Sequence, residues 1–242
     1  MLILLFGVSL SIGQFAQAKE TVYVAVASNF LTTFKQLQIA FEQTHQSQLI
    51  VSAGSTGKLY AQITHGAPYD LFFSADDVRP QQLQKQGFTH KNKAFTYAFG
   101  RLAVYHPAVD SSQFCVKLLS NNDVKYIAIA NPKIAPYGEA AKDWMTSKQI
   151  WQSLKNKIVM GENVNQALQF VETGNAQMGF IAMSMTGNLP THSFTELDDN
   201  NYQAIRQQAV LITNKPEAAK FVAFLSTQSA RDIILKSGYI LP

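Results

Sequence analysis

The 242 residues contain one cysteine, Cys115. A single cysteine excludes a disulfide within the chain and any zinc site built on cysteines. Its neighbours Phe114, Val116, Leu118 and Leu119 predict a small buried hydrophobe at that position. The five histidines, His45, His65, His90, His106 and His192, never stand at a metal-ligand spacing from one another. Each falls in a predicted turn or helix end, where a surface position is expected. No H-E-x-x-H run and no G-x-S-x-G elbow is present. The chain also lacks a basic block or a basic–aromatic stripe: 20 Lys and Arg against 16 Asp and Glu are scattered, giving a net charge of +4. No nucleic-acid partner is expected from that pattern, although a mild positive field favours an anion. Repeats, low-complexity runs and Pro/Gly/Ser linkers are absent. Asp76-Asp77 is expected to cap a helix, and Asp198-Asp199 to form a polar turn.

Long apolar runs are missing outside the N-terminus. Met1 to Ala18 carry no charged side chain, hold an apolar stretch from Leu2 to Leu10, and end in Ala16-Gln17-Ala18. This predicts a secretory signal peptide, residues 1–18, cleaved before Lys19. The apolar run is too short to span a bilayer, and no cysteine follows it to carry a lipid. The remaining chain has the length of one large domain or two small ones.

What is present alternates. Thr21 to Ala27 is an apolar, β-branched run of strand length, and Phe30, Phe34, Leu37 and Phe41 then recur at helical spacing. Leu49-Ile50-Val51 and Asp70 to Ser74 read as strands, with Leu59 and Ile63 on the inner face of a short helix between them. The pattern returns with strands at Tyr126–Ala130, Val159-Met160 and Met178–Ala182, and with helices marked by Ala141, Trp144 and Met145 and by Val164, Ala167, Leu168 and Val171. Such alternation predicts a parallel sheet covered by helices. Two runs, Ala98 to Tyr105 and Gln208 to Thr213, look like crossovers, and a helix from Glu217 to Leu225 returns to the first half. The expected fold class is α/β: two Rossmann-like lobes joined by two crossing strands, with a ligand in the interlobe cleft. Lobe one takes 19–98 plus 208–242, and lobe two takes 99–207.

Ligands of open α/β sheets bind beyond the C-terminal ends of the strands. Four strand-to-helix junctions carry small or hydroxyl residues: Ser28-Asn29, Gly54-Ser55-Thr56-Gly57, Pro136-Tyr137-Gly138 and Gly161-Glu162-Asn163-Val164. A helix start leaves backbone N–H groups unpaired and carries partial positive charge, so it holds an anion without Lys or Arg. Taken singly, Ser28 or Thr56 is an ordinary N-cap, and Gly54 and Gly57 serve turn geometry. Four junctions of one chemistry point instead to a small oxyanion enclosed by neutral donors. Gly54 to Lys58 resembles the end of a phosphate-binding P-loop, but Ser52 stands where its first glycine belongs and Leu59 where its magnesium-binding hydroxyl belongs.

These segments together resemble the periplasmic molybdate-binding proteins that feed ABC importers. The likeness is carried by Ala25-Val26-Ala27-Ser28-Asn29-Phe30, by Ser52 to Leu59, and by Ala130 to Gly138. It extends through Gly161 to Leu168 and Phe224-Leu225 to Gly238-Tyr239. Gly66-Ala67-Pro68-Tyr69-Asp70-Leu71-Phe72-Phe73-Ser74-Ala75-Asp76 is its most specific stretch. The resemblance implies a periplasmic, non-enzymatic binding protein of the type II class, a monomer with no cofactor. Its ligand is molybdate or tungstate and its partner the membrane permease of an ABC importer. The oxyanion contacts fall on Ser28 and Asn29, on Ser55 or Thr56 with Thr56 favoured, and on Tyr137 and Val164. Molybdenum would be held through its oxygens, with no direct metal ligand. Ala182 stands where some members supply a tyrosine, so Tyr137 binds either by its backbone or by its hydroxyl. Asp70 is expected to be structural. The rival readings are a carrier of another tetrahedral oxyanion such as sulfate, a secreted hydrolase with Ser28 or Ser55 as nucleophile, and a cytoplasmic oxyanion sensor.

Overall fold

The apolar runs become the strands of two five-stranded sheets, each flanked by helices. A computed structural model of the chain describes residues 19–89 and 93–242; the expected signal peptide, 1–18, and His90 lie outside the described residues. Lobe one begins with β1 (Glu20–Ala27), α1 (Leu31–Glu42), β2 (Ser47–Gly54), α2 (Thr56–Thr64), β3 (Leu71–Phe73), α3 (Val78–Lys85) and β4 (Phe95–Gly100). Lobe two follows with β5 (Leu102–Tyr105), β6 (Ile127–Ala130), α4 (Pro136–Ser147), α5 (Trp151–Leu154), β7 (Ile158–Gly161), α6 (Val164–Glu172), β8 (Met178–Ala182) and β9 (Phe194–Glu196). The chain then returns to lobe one through β10 (Ile205–Leu211), α7 (Pro216–Phe224) and α8 (Gln228–Lys236). Among the described residues no helix is long and apolar enough to cross a membrane.

The sheets are mixed, not purely parallel as the alternation predicts. Their orders are β2-β1-β3-β10-β4 and β7-β6-β8-β5-β9. β10 runs antiparallel to β3 and β4, and β5 runs antiparallel to β8 and β9. The reason is the connectivity. The other strands end at the interlobe edge, so a strand arriving from the opposite lobe must begin there. The first crossing occupies Arg101, between β4 and β5, and the second runs through 197–204, just ahead of β10. The expected boundary positions 98 and 208 therefore fall inside β4 and β10.

Register decides where the strand ends lie. Ala27 pairs with Gly54 at the last step of the β1–β2 ladder, and Ala130 with Gly161 at the last step of β6–β7. Each pair of loops thus leaves its sheet at one level. Ser28 to Phe30 form a single 3-10 turn before α1. That turn is anchored by Phe30, whose ring packs 4.6 Å from Tyr97, 5.4 Å from Tyr239 and 5.7 Å from Phe73 in the aromatic core of lobe one.

Two sequence expectations about single residues fail. Cys115 is exposed, because its short 3-10 segment buries Leu119 instead. His106 is fully buried. Its Nδ1 lies 2.8 Å from the Val109 carbonyl, its Nε2 2.8 Å from Thr195 Oγ1, and its ring stacks on Phe114. It is a core histidine whose ring nitrogens both have partners. Of the acidic pair, Asp76 makes the cap: its carboxylate accepts from the Arg79 backbone N–H at 3.0 Å and pairs with the Arg79 guanidinium. Asp77 occupies the N-cap position with no side-chain bond there.

Asp70 is also buried. Its carboxylate accepts from the Tyr23 backbone N–H at 2.9 Å, from the Thr213 hydroxyl at 2.8 Å and from Lys215 at 3.3 Å. It ties β1 to the segment after β10. Asp70→Ala removes that acceptor from buried donors, a cost of about 1–3 kcal/mol, and should lower the melting temperature by about 2–12 °C. A melting temperature within a degree of the parent would show that the carboxylate does not hold these strands together.

Candidate functional site

The four junctions meet between the lobes. One small cavity of about 10 Å³ is lined by Ala27, Ser28, Asn29, Gly54, Ser55 and Thr56 from lobe one, with Ala75 of the segment after β3, and by Ala135, Pro136, Tyr137 and Val164 from lobe two. All six residues singled out from the sequence are on its wall. Organic metabolites occupy pockets of roughly 300–1,000 Å³, far larger than this space. A larger depression of about 950 Å³ also opens between the lobes, but none of the six residues lines it.

The wall carries no Lys, Arg, His, Asp or Glu. Its polar character comes from hydroxyls and from the starts of α2, α4 and α6. Thr56 and Val164 are the first residues of their helices and Tyr137 the second of α4, so their N–H groups have no partner within the helix. Pro136 opens α4 and has no N–H to spare. In α6 the Asn163 side chain accepts from the Gln166 N–H at 3.1 Å, which satisfies the third N–H of the helix and leaves the first.

The hydroxyls divide. Among the described residues two buried side-chain polar atoms lack a partner: Trp144 Nε1, on α4 and absent from the cavity wall, and Ser55 Oγ. An unpaired buried hydroxyl costs about 1–3 kcal/mol, and the Ser55 hydroxyl is free to donate to a ligand oxygen. Thr56 Oγ1 instead accepts from the Ala75 N–H at 3.0 Å, pinning the start of α2 to the segment after β3. Ser28 is 7 % exposed and lies on the cavity wall. Asn29 donates both amide hydrogens away from the wall, to Gln207 Oε1 at 2.9 Å and Tyr239 Oη at 3.0 Å. Ala182 is buried and does not line the cavity. Burial pushes the hydroxyls of Tyr97, Tyr137 and Tyr239 well above the ordinary 10.0, so all three stay protonated.

Sequence reasoning missed the closing contacts. The Gly57 N–H donates to the Ile134 carbonyl across the cleft at 2.8 Å, and Lys58 pairs with Glu162 at 2.9 Å on the rim. A Cβ at Gly57 would stand 3.0 Å from the Cα, Cβ and O of Ile134. The lobes approach this closely because position 57 has no side chain. Only the glycine-rich spacing of that loop hinted at such an approach.

Two lobes on crossing strands, closing over a neutral, donor-lined cavity, define a solute-binding protein. The chain belongs to the family described as bacterial extracellular solute-binding protein, whose model matches residues 22–240. It is 40 % identical to the molybdate-binding protein ModA of Azotobacter vinelandii, over 93 % of this chain and 91 % of that protein. It is 37 % identical to the ModA of Rhodobacter capsulatus, over 92 % of this chain and 89 % of that protein. The solved structure of the Azotobacter vinelandii periplasmic molybdate-binding protein superposes with a TM-score of 0.84 at 36 % identity, covering 91 % of this chain and 99 % of that one.

Gly57→Val should hold the lobes apart. The expected result is a larger radius of gyration in small-angle scattering with an unchanged far-ultraviolet circular dichroism spectrum. An unchanged radius would show that Gly57 does not set the approach.

Proposed function

We propose that this chain captures molybdate, and tungstate with it, in the periplasm and presents it to the membrane permease of an ABC importer. It acts as a monomer, without catalysis and without a cofactor, after loss of the signal peptide at 1–18. The observation that carries this reading is the convergence of six donor-bearing residues from both lobes on one small, uncharged cavity. The names of its relatives at 40 % and 37 % identity support the choice of molybdate.

The proposed contacts are the hydroxyls of Ser28 and Ser55 and the backbone N–H groups of Asn29, Thr56, Tyr137 and Val164. Ser55 is preferred to Thr56 because Ser55 Oγ has no partner, whereas Thr56 Oγ1 accepts from the Ala75 N–H and keeps only its own proton to donate. Roughly six charge-assisted hydrogen bonds at ~1.5–3 kcal/mol each give ~9–18 kcal/mol gross. Ordering and closure subtract several kcal/mol, which leaves micromolar to nanomolar affinity, about −8 to −12 kcal/mol. Monohydrogen phosphate meets a wall with no carboxylate to accept its O–H, at a cost of about 1–3 kcal/mol. A hydrolase using Ser28 or Ser55 would need a general base beside it, and the wall carries neither histidine nor carboxylate.

Thermal unfolding with molybdate, tungstate, sulfate and phosphate in turn tests the cargo. At a thousand times its dissociation constant a ligand stabilises by about 4 kcal/mol, which for a chain of this size raises the melting temperature by roughly 8–16 °C. Molybdate and tungstate are expected to give that shift and phosphate none. A shift with sulfate alone would change the cargo, and no shift with any of them would end the oxyanion reading.

Ser28→Ala and Ser55→Ala should each weaken molybdate binding about tenfold or more, the scale of one charge-assisted bond. Parent affinity in the Ser55 variant would return the contact to Thr56. Because Tyr137 is the only titratable wall residue and burial keeps it protonated, affinity should be flat between about pH 6 and 9. A calorimetric affinity that changes across that range would show that another titrating group contacts the ligand.

A further inference from the structure

Behind the cavity wall a buried side-chain amide joins the two lobes. Gln207 lies on β10, one of the strands that enter a lobe from the other, and is fully buried. Its Oε1 accepts from Asn29 Nδ2 at 2.9 Å and from the Tyr97 hydroxyl at 2.8 Å, both in lobe one. Its Nε2 donates to the Tyr137 hydroxyl of lobe two at 3.3 Å. Asn29 is held from the other side as well. Its carbonyl accepts from the Tyr239 hydroxyl at 2.8 Å and, across the lobes, from the Ser184 hydroxyl at 3.1 Å.

The opposite crossing strand makes room for this contact. A Cβ on Gly100, the last residue of β4, would stand 2.1 Å from Tyr137 Oη and 2.6 Å from Gln207 Nε2. Both crossing strands therefore meet where Tyr137 of one lobe touches Gln207 of the other. Asn29 and Tyr137 are at once wall residues of the cavity and members of this chain of hydrogen bonds. A buried polar network of this kind is stable only when complete, since each missing partner leaves a desolvated group unpaired.

We propose that Gln207 is a positioning residue that couples closure of the lobes to assembly of the oxyanion site. Its carbonyl oxygen sets the Asn29 loop, and its amide nitrogen engages Tyr137 only when α4 stands against lobe one. The two halves of the donor set are then complete together or not at all. The inference rests on the oxyanion-binding reading above. It assigns the Tyr137 hydroxyl a role in closure, leaving the backbone N–H of that residue for the ligand.

The test is a double-mutant cycle of Tyr137→Phe and Gln207→Met, with molybdate affinity, dissociation rate and scattering-derived radius of gyration measured for each protein. Each single variant should weaken binding about three- to tenfold, the scale of one net hydrogen bond, chiefly through faster dissociation. The double variant should bind no worse than Gln207→Met alone, because both changes remove the same contact. Tyr137→Phe should enlarge the ligand-free radius of gyration. Where Gln207→Met does not fold, Gly100→Ala replaces it in the cycle, since its Cβ displaces the Tyr137 hydroxyl. Parent affinity in Tyr137→Phe overturns the coupling. Losses that multiply in the double variant also overturn it, because they mean that the Tyr137 hydroxyl meets the ligand directly. A parent protein that binds no oxyanion overturns the functional reading and this inference with it, whereas a binding parent with a silent Tyr137→Phe overturns this inference alone.

Discussion

The structure turns on the backbone N–H groups that a helix cannot use at its own start. Three helices, α2, α4 and α6, begin at the interlobe edge, and a 3-10 turn at Ser28 supplies a fourth such end. Each end carries unpaired donors and the positive pole of its dipole. No one of them would hold an anion against water. Together they line a cavity with no formal charge of either sign, which suits a small dianion that must later be released.

Strand geometry makes that convergence possible. In each lobe two neighbouring parallel strands end in register, at Ala27–Gly54 and Ala130–Gly161, so two loops of each lobe leave at one height. Only the strands that arrive from the opposite lobe run the other way. They also place Gly100 and Gln207 behind the cavity, where the lobes touch. The aromatic core of lobe one, centred on Phe30, fixes the loop that carries Ser28 and Asn29. Rigid walls matter here because donors that shift by an ångström no longer meet a bound oxygen at hydrogen-bond distance.

Much of this was legible in the sequence. Apolar runs of strand length gave the strands at 20–27, 127–130 and 178–182 almost to the residue, and the spacing of Phe34, Leu37 and Phe41 gave α1. Ser, Gly and Asn at the strand ends announced the four junctions. Less was legible where local pattern and long-range contact disagree. His106 looked like a turn residue, and its burial depends on Thr195, 89 positions away. Cys115 sits among apolar neighbours in sequence, yet its own side chain faces out. The antiparallel members of each sheet followed from the crossings and not from any residue pattern.

The same division holds at the site. The sequence by itself determined the chemistry of the walls, namely hydroxyls, glycines and helix starts, because residue type decides what a loop has to offer. Only the tertiary structure decided which offer is open. It anchored Thr56 Oγ1 as acceptor to the Ala75 N–H, spent both Asn29 amide hydrogens on Gln207 and Tyr239, and left Ser55 Oγ unpaired. It also brought Gly57 against Ile134 and Tyr137 against Gln207. Those pairings span 77 and 70 positions in the chain and depend on how two lobes meet, which no local pattern of residues encodes.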